Sequence, residues 1–267
     1  MRDAIVWSAD RFFGIFCFIG KEVMGEQNGI RINKYLSEAG VCSRREADRA
    51  LTAGWIRIGS KVAGLGDRVY PGDTVFFKGK AVKMEEEQIL LAFHKPRGVV
   101  CTTAKKEGVN IVDYINYPKR IYPIGRLDKE STGLILLTNN GDIVNKMMRA
   151  GNYHEKEYVV TVHREITDEF IMQMSKGVHI LDTVTRPCKI WKTGATEFHI
   201  ILTQGLNRQI RRMCEALGYK VRTLKRLRIM NIKLGNLKEG TYRPVTDSEW
   251  KELQRLIQDS SNETVKA

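Results

Sequence analysis

The chain has 267 residues, 42% of them hydrophobic and 28% charged, a globular balance that excludes collagen-like and wholly disordered chains. Its longest apolar run, Phe12 to Ile19, falls short of the ~20 residues that a membrane-spanning helix needs. Lys and Arg number 44 against 31 for Asp and Glu, a formal +13, so the surface attracts polyanions and nucleic acid is the first partner class to consider.

Residues 1–29 differ from the rest of the chain. Met1 to Gly20 is rich in aromatics without periodicity, and Met24 precedes a polar stretch that leads into the first regular pattern. The segment reads as a disordered extension or the product of an upstream start, with Met24 a candidate natural start. A secretory leader fits poorly, because Asp3 and Asp10 interrupt the basic start and no small-x-small cleavage site comes after it.

Residues 30–80 read as a small α/β module. Ile32, Tyr35, Leu36 and Ala39 recur at helical spacing up to Gly40. Ser43-Arg44-Arg45-Glu46 forms a capping box for a second helix that ends at Gly54. Short strands are expected at Trp55–Ile58, Lys61–Ala63 and Thr74–Phe77. Arg31, Lys34, Arg44, Arg45 and Arg49 fall on or beside the helices and are candidate phosphate contacts, a solvated helix face being the alternative.

Residues 81–88 are charged and read as a linker. From 89 to 258 strand-like runs dominate: Ile89–Phe93, Gly98–Thr103, Leu134–Thr138, Tyr158–His163, Val178–Val184, Thr196–Thr203 and Val221–Leu234. Helices are expected over Asp142–Arg149, Thr167–Lys176 and Asn207–Leu217. A second capping box, Thr246 to Glu249, precedes Trp250, Leu253, Leu256 and Ile257 at helical spacing. Incomplete β-α-β alternation predicts an α+β body built on a mixed, mainly antiparallel sheet. Residues 259–267 read as a disordered tail.

Cys17, Cys42, Cys101, Cys188 and Cys214 stand far apart without a C-x-x-C pair, and the 5 histidines show no metal spacing. A reducing cytoplasm is the expected compartment, with no structural metal.

The most unusual segment is Pro123 to Gly133, a polar loop between glycines that enters the apolar run Leu134 to Thr138. Such a loop against a strand is where scaffolds display reactive groups, and Asp128 is the candidate carboxylate. On composition alone, an aspartate that bonds nearby turn amides is the commoner reading.

Resemblance changes that balance. Arg31 to Asp48, with the later Gly72-Asp73-Thr74-Val75 turn, resembles an S4-type RNA-binding domain. G-R-L-D-K-E-S-T-G, from Gly125 to Gly133, resembles the signature loop of pseudouridine synthases of the RsuA/RluA superfamily. Lys95-Pro96-Arg97-Gly98, His154 to Tyr158 and Gln204 to Met213 match further segments of that family in order. The wording around Asn152 to His154 and Arg228 to Asn231 is most similar to the RluF-type branch, which modifies large-subunit ribosomal RNA.

That resemblance implies a pseudouridine synthase fold and residue roles. Asp128 matches the aspartate that attacks the target nucleoside, whether at C1′, at C6 or through a glycal. Arg211 matches the arginine that pairs with it, and Tyr158 the tyrosine that stacks under the uracil. Arg126 matches the residue that fills the gap left by the flipped-out base. Arg208 and Arg212, in the basic stretch Arg208 to Arg228, are further RNA contacts.

The implied activity is isomerisation of a specific uridine to pseudouridine in large-subunit ribosomal RNA or its assembly intermediate, by a cytoplasmic monomer without metal or cofactor. The alternatives are the same chemistry on a transfer RNA or the small subunit, or a non-catalytic S4-domain ribosome-assembly factor. His94 and Gln204 depart mildly from the family pattern.

Overall fold

The computed structural model describes residues 29–85, 87–103 and 108–260. The N-terminal extension, save Gly29, and most of the expected tail lie outside them. In the small module, α1 (Ile32–Glu38) and α2 (Arg44–Thr52) turn Ile32, Leu36, Ala47, Ala50 and Leu51 onto one shared core. The Ser43 box is formed: its hydroxyl accepts from the Glu46 amide at 3.2 Å while the Glu46 carboxylate accepts from the Ser43 amide at 2.8 Å.

The short strands of the module are β1 (Ile30–Arg31), β2 (Ile56–Ile58), β3 (Lys61–Val62), β4 (Arg68–Val69), β5 (Val75–Phe77) and β6 (Lys80–Ala81). They pair as β1-β4 and as β3-β2-β5-β6. Strands β1 and β4 carry no sequence signal, since two residues are too few to show alternation. The expected linker begins inside β6, and Lys119 pins it to the body through ion pairs with Glu85 at 2.9 Å and with Glu87.

The body contains β7 (Leu90–Lys95), α3 (Ile111–Ile115), β8 (Tyr122–Ile124), β9 (Thr132–Thr138), α4 (Gly141–Met148), β10 (Lys156–Val162) and α5 (Asp168–Lys176). It continues with β11 (His179–Ile180), β12 (Thr183–Val184), β13 (Lys189–Gly194), β14 (Glu197–Leu202) and α6 (Gln209–Ala216). The last elements are β15 (Val221–Ile229), β16 (Ile232–Lys233), β17 (Tyr242–Pro244) and α7 (Asp247–Ile257). One sheet runs β13-β14-β10-β15-β9-β7-β17, with β16 beside β15 and β8 beside β9. All its pairings are antiparallel except β9 with β15.

Two cores explain the hydrophobic patterns. Leu91, Phe93, Ile135, Leu137, Tyr158, Val160, Phe198 and Ile200 pack with α5 and α6, while Leu90, Ala92, Leu134, Leu136 and Ile143 pack with α7. Strands β7 and β9 are therefore buried on both faces and read as continuous apolar runs, whereas β10 and β14 alternate.

Three strand expectations need correction. Gly98–Thr103 is a turn: Gly98 sits at φ 91°, and Val100 makes only an isolated bridge to Asn110. The Lys95 ammonium donates to the carbonyls of Pro96 and Val99, which curls this segment on itself. Val178–Val184 splits into β11 and β12 around Leu181 at φ 53°. Val221–Leu234 folds back at Met230, φ 52°, giving the hairpin β15-β16. Edge strand β13 has no counterpart among the expected strands because its side chains are mostly exposed and lack a buried stripe.

Candidate active site

The loop between β8 and β9 carries Asp128 and is held from beneath. Lys95, fully buried, donates to the carbonyls of Val99 at 2.9 Å and Lys129 at 3.4 Å, and the Gly98 amide donates to Lys129 O at 2.8 Å. Burial pulls the Lys95 amine's pKa down, opposed chiefly by Cys101 and Asp128. The loop then enters β9 at Gly133, φ 108°, where an added Cβ would lie 2.3 Å from Arg226 O. The parallel pairing of β9 with β15 is this close only because position 133 lacks a side chain.

Strand β10 supplies Tyr158, whose register partners are Ile200 on β14 and Arg226 on β15. It is 9% exposed and lies on the same strand face as Lys156. Helix α6 supplies Arg211; its entry is a turn in which Gln209 Oε1 accepts from the Leu206 amide at 3.0 Å and Arg208 takes φ 50°.

These elements close around a cleft of about 590 Å³ lined by Arg126, Asp128, Tyr158, Arg208, Arg211 and Arg226 among others. That volume lies within the range of small-ligand sites. Arg211 Nε stands 3.5 Å from Asp128 Oδ2, and its Nη2 donates to Ser131 Oγ at 3.1 Å. The Nε contact is an ion pair without a formed hydrogen bond. Burial lowers the Arg211 pKa and Asp128 opposes that. Arg208 Nη1 is 4.0 Å from the same carboxylate oxygen but half exposed. Asp128 therefore has a largely buried cation at 3.5 Å and a half-exposed one at 4.0 Å.

The other sequence candidates are placed unequally. Arg126 is exposed at the cleft and forms no ion pair among the described residues, while its carbonyl accepts from Arg226 Nη1 at 3.4 Å. Arg212 is not among the residues that line the cleft and binds one that is, Asn207, Nε to O at 3.0 Å and Nη2 to Oδ1 at 3.2 Å. Arg31, Arg45 and Arg49 are exposed on the module. Arg44 reaches toward Gly141 and shares a second cavity with Glu38, Arg120 and Tyr122 between module and body. Lys34 is not on the open patch. It bonds both carboxylate oxygens of Asp142 at 2.9 Å and lies 3.6 Å from Glu38, so it joins the two parts of the molecule.

Sequence reasoning missed Lys156 and Arg226 as cleft residues. The i, i+2 spacing of Lys156 and Tyr158 on one strand was a usable signal. Arg226 was hidden in a basic run where nothing marked it as buried.

A family model described as RNA pseudouridylate synthase matches residues 89–216, and one for the S4 domain matches residues 30–75. The chain is 53% identical over 238 residues to the dual-specificity RNA pseudouridine synthase RluF of Escherichia coli K12, covering 88% of this chain and 82% of that one. The chain is an RNA pseudouridine synthase. The synthase is also 34% identical to ribosomal large subunit pseudouridine synthase B of Bacillus subtilis, over 87% of this chain and 98% of that one. A solved pseudouridylate synthase superposes with a TM-score of 0.63 at 27% identity, covering 84% of this chain and 99% of that one. Among the described residues, no helix is long and apolar enough to cross a membrane.

Proposed function

We propose that the synthase isomerises a specific uridine in large-subunit ribosomal RNA, with Asp128 as the reacting carboxylate on a base flipped into the cleft. One observation carries this reading: the carboxylate that the family signature singles out sits in a cleft of nucleoside size, ion-paired to Arg211 and sharing that cleft with Tyr158. The reaction needs a nucleophile beside a positive charge, and an aromatic face on which the detached uracil is held while it turns. The C1′–N1 bond breaks, the ring rotates, C5 bonds to C1′, the C5 proton leaves and N1 takes one up. Atoms and electrons balance within the nucleotide, and no redox partner enters.

Exposed Arg126 is suited to occupying the space vacated by the flipped base, and exposed Arg31, Arg45 and Arg49 to gripping phosphates. The name of the Escherichia coli relative supports a second specificity, for which transfer RNA is the candidate.

The test is carbodiimide-adduct primer extension on ribosomal and transfer RNA from cells lacking the synthase, complemented with wild type or Asp128→Asn. One stop in large-subunit RNA, restored by wild type alone, is the expected result. An unchanged ribosomal pattern together with a lost transfer RNA stop would overturn the target. Restoration by Asp128→Asn would overturn the role of the carboxylate.

A further inference from the structure

Besides the Asp128–Arg211 pair, the cleft holds two cations that have no carboxylate. Lys156 is 6% exposed and Arg226 is 2% exposed, and both line the cleft. Lys156 Nζ donates only to the His154 carbonyl at 3.3 Å, while Arg226 donates from Nε to the Leu134 carbonyl at 2.6 Å and from Nη1 to the Arg126 carbonyl at 3.4 Å. Arg226 Nη2 is buried with no hydrogen-bond partner at all. Neither side chain forms an ion pair among the described residues, whereas elsewhere in the body Arg228 binds Glu155 and Glu157, each at 3.0 Å. Two unpaired buried cations side by side are costly, and such a pair persists where a ligand supplies the missing negative charge.

Which negative charge arrives there is decided by depth and chemistry. A phosphodiester belongs to a backbone that must leave the cleft on both sides, so it stays near the rim. Only the flipped base reaches the strand face that carries Tyr158. When the C1′–N1 bond breaks, its electron pair remains on the uracil and spreads over N1, O2 and O4. Addition of a carboxylate at C6 likewise places charge on O4. We infer that Lys156 and Arg226 form the site that receives the negative charge developing on a uracil carbonyl oxygen, acting as an oxyanion hole for the detaching base. This inference rests on the flipped-base reading above and holds for any of the chemical routes open to Asp128.

Burial pushes the Lys156 amine down to about 8, with Arg226 adding to the effect. The groups that face it are Arg226, His154 and Tyr158, and burial with Lys156 nearby also lowers His154. The ammonium is thus lost as pH rises through about 8, and the rate of conversion falls with it.

The experiment is single-turnover conversion of a target-bearing RNA hairpin by wild type, Lys156→Met and Lys156→Arg, across pH and with uridine or the more acidic 5-fluorouridine at the target. Disappearance of the starting nucleoside is measured. With uridine, Lys156→Met is expected to be slower by about 10²–10³-fold at saturating enzyme, with RNA affinity unchanged. Its defect shrinks with 5-fluorouridine, because a better leaving base needs less help. Lys156→Arg keeps part of the rate and loses the alkaline limb. An unchanged rate overturns the inference, as does an equal defect on both bases, which marks a structural role. Weakened affinity with a shallower salt dependence and an intact rate also overturns it, marking a phosphate contact. If wild type converts no uridine, or Asp128→Asn matches it, the proposed function falls and this site falls with it.

Discussion

The small module and the body place their positive charges in opposite settings. On the module, Arg31, Arg45 and Arg49 stand exposed without ion pairs among the described residues. In the body, Lys95, Lys156 and Arg226 are buried, and Arg211 is largely so, each fixed by strands or by a helix around one cleft. An exposed cation interacts with phosphate through water and salt, and its effect appears in affinity. A buried one acts at close range in a drier medium, and its effect appears in rate. Lys34 marks the border between the two settings: carried by a module helix, it is committed to Asp142 of the body.

Four perturbations test this division. The largest effect is expected for Asp128→Asn, which leaves Arg211 in place without its carboxylate. Single-turnover rate should fall by about 10⁴-fold or more while RNA affinity holds. A comparable loss of affinity would break the division.

Next comes stability. The Lys156 amine is depressed from 10.5 to about 8 in the folded state, so protonating it opposes folding. That cost is fully present below about pH 8 and fades as pH rises toward the unfolded value. Lys156→Met should therefore be more stable than wild type by on the order of 2–3 kcal/mol at neutral pH, read by urea melts, with the gain vanishing near pH 10.5. A residue whose removal stabilises the fold while slowing the reaction is retained for function.

Smaller again is Arg49→Glu, which should weaken RNA binding and flatten the salt dependence by about one unit of slope. Conversion at saturating RNA should be untouched. Smallest is Lys34→Ala. Its ion pair with Asp142 is partly exposed and should contribute only about 0.2–1 kcal/mol, read by differential scanning calorimetry.

Much of the fold is legible in the sequence where one local rule decides the outcome. The two capping boxes, the periodic helices and the doubly buried β9 each arise from their own residues. Asp128 and Arg211 are found only through the wording of their segments, because composition cannot distinguish an aspartate in a turn from one in a cleft. The illegible features depend on distant partners. The curl after Lys95 is set by where one buried ammonium points, and Arg226 differs from its basic neighbours only by its position against Gly133. Lys34 reads as a phosphate contact because Asp142, its partner, lies far along the chain.

The parallel pairing of Thr132 and Gly133 with Lys225 and Arg226 is also expected to set when the enzyme becomes competent during its synthesis. Asp128 stands just before β9, Arg211 in the helix that precedes β15, and Tyr158 on the strand beside β15. Contacts between segments so far apart must close long loops and are slow to form, whereas the module's core is local and N-terminal. A chain still emerging from the ribosome can thus fold its S4 module before β15 exists. The nascent protein is expected to hold RNA before it can modify it.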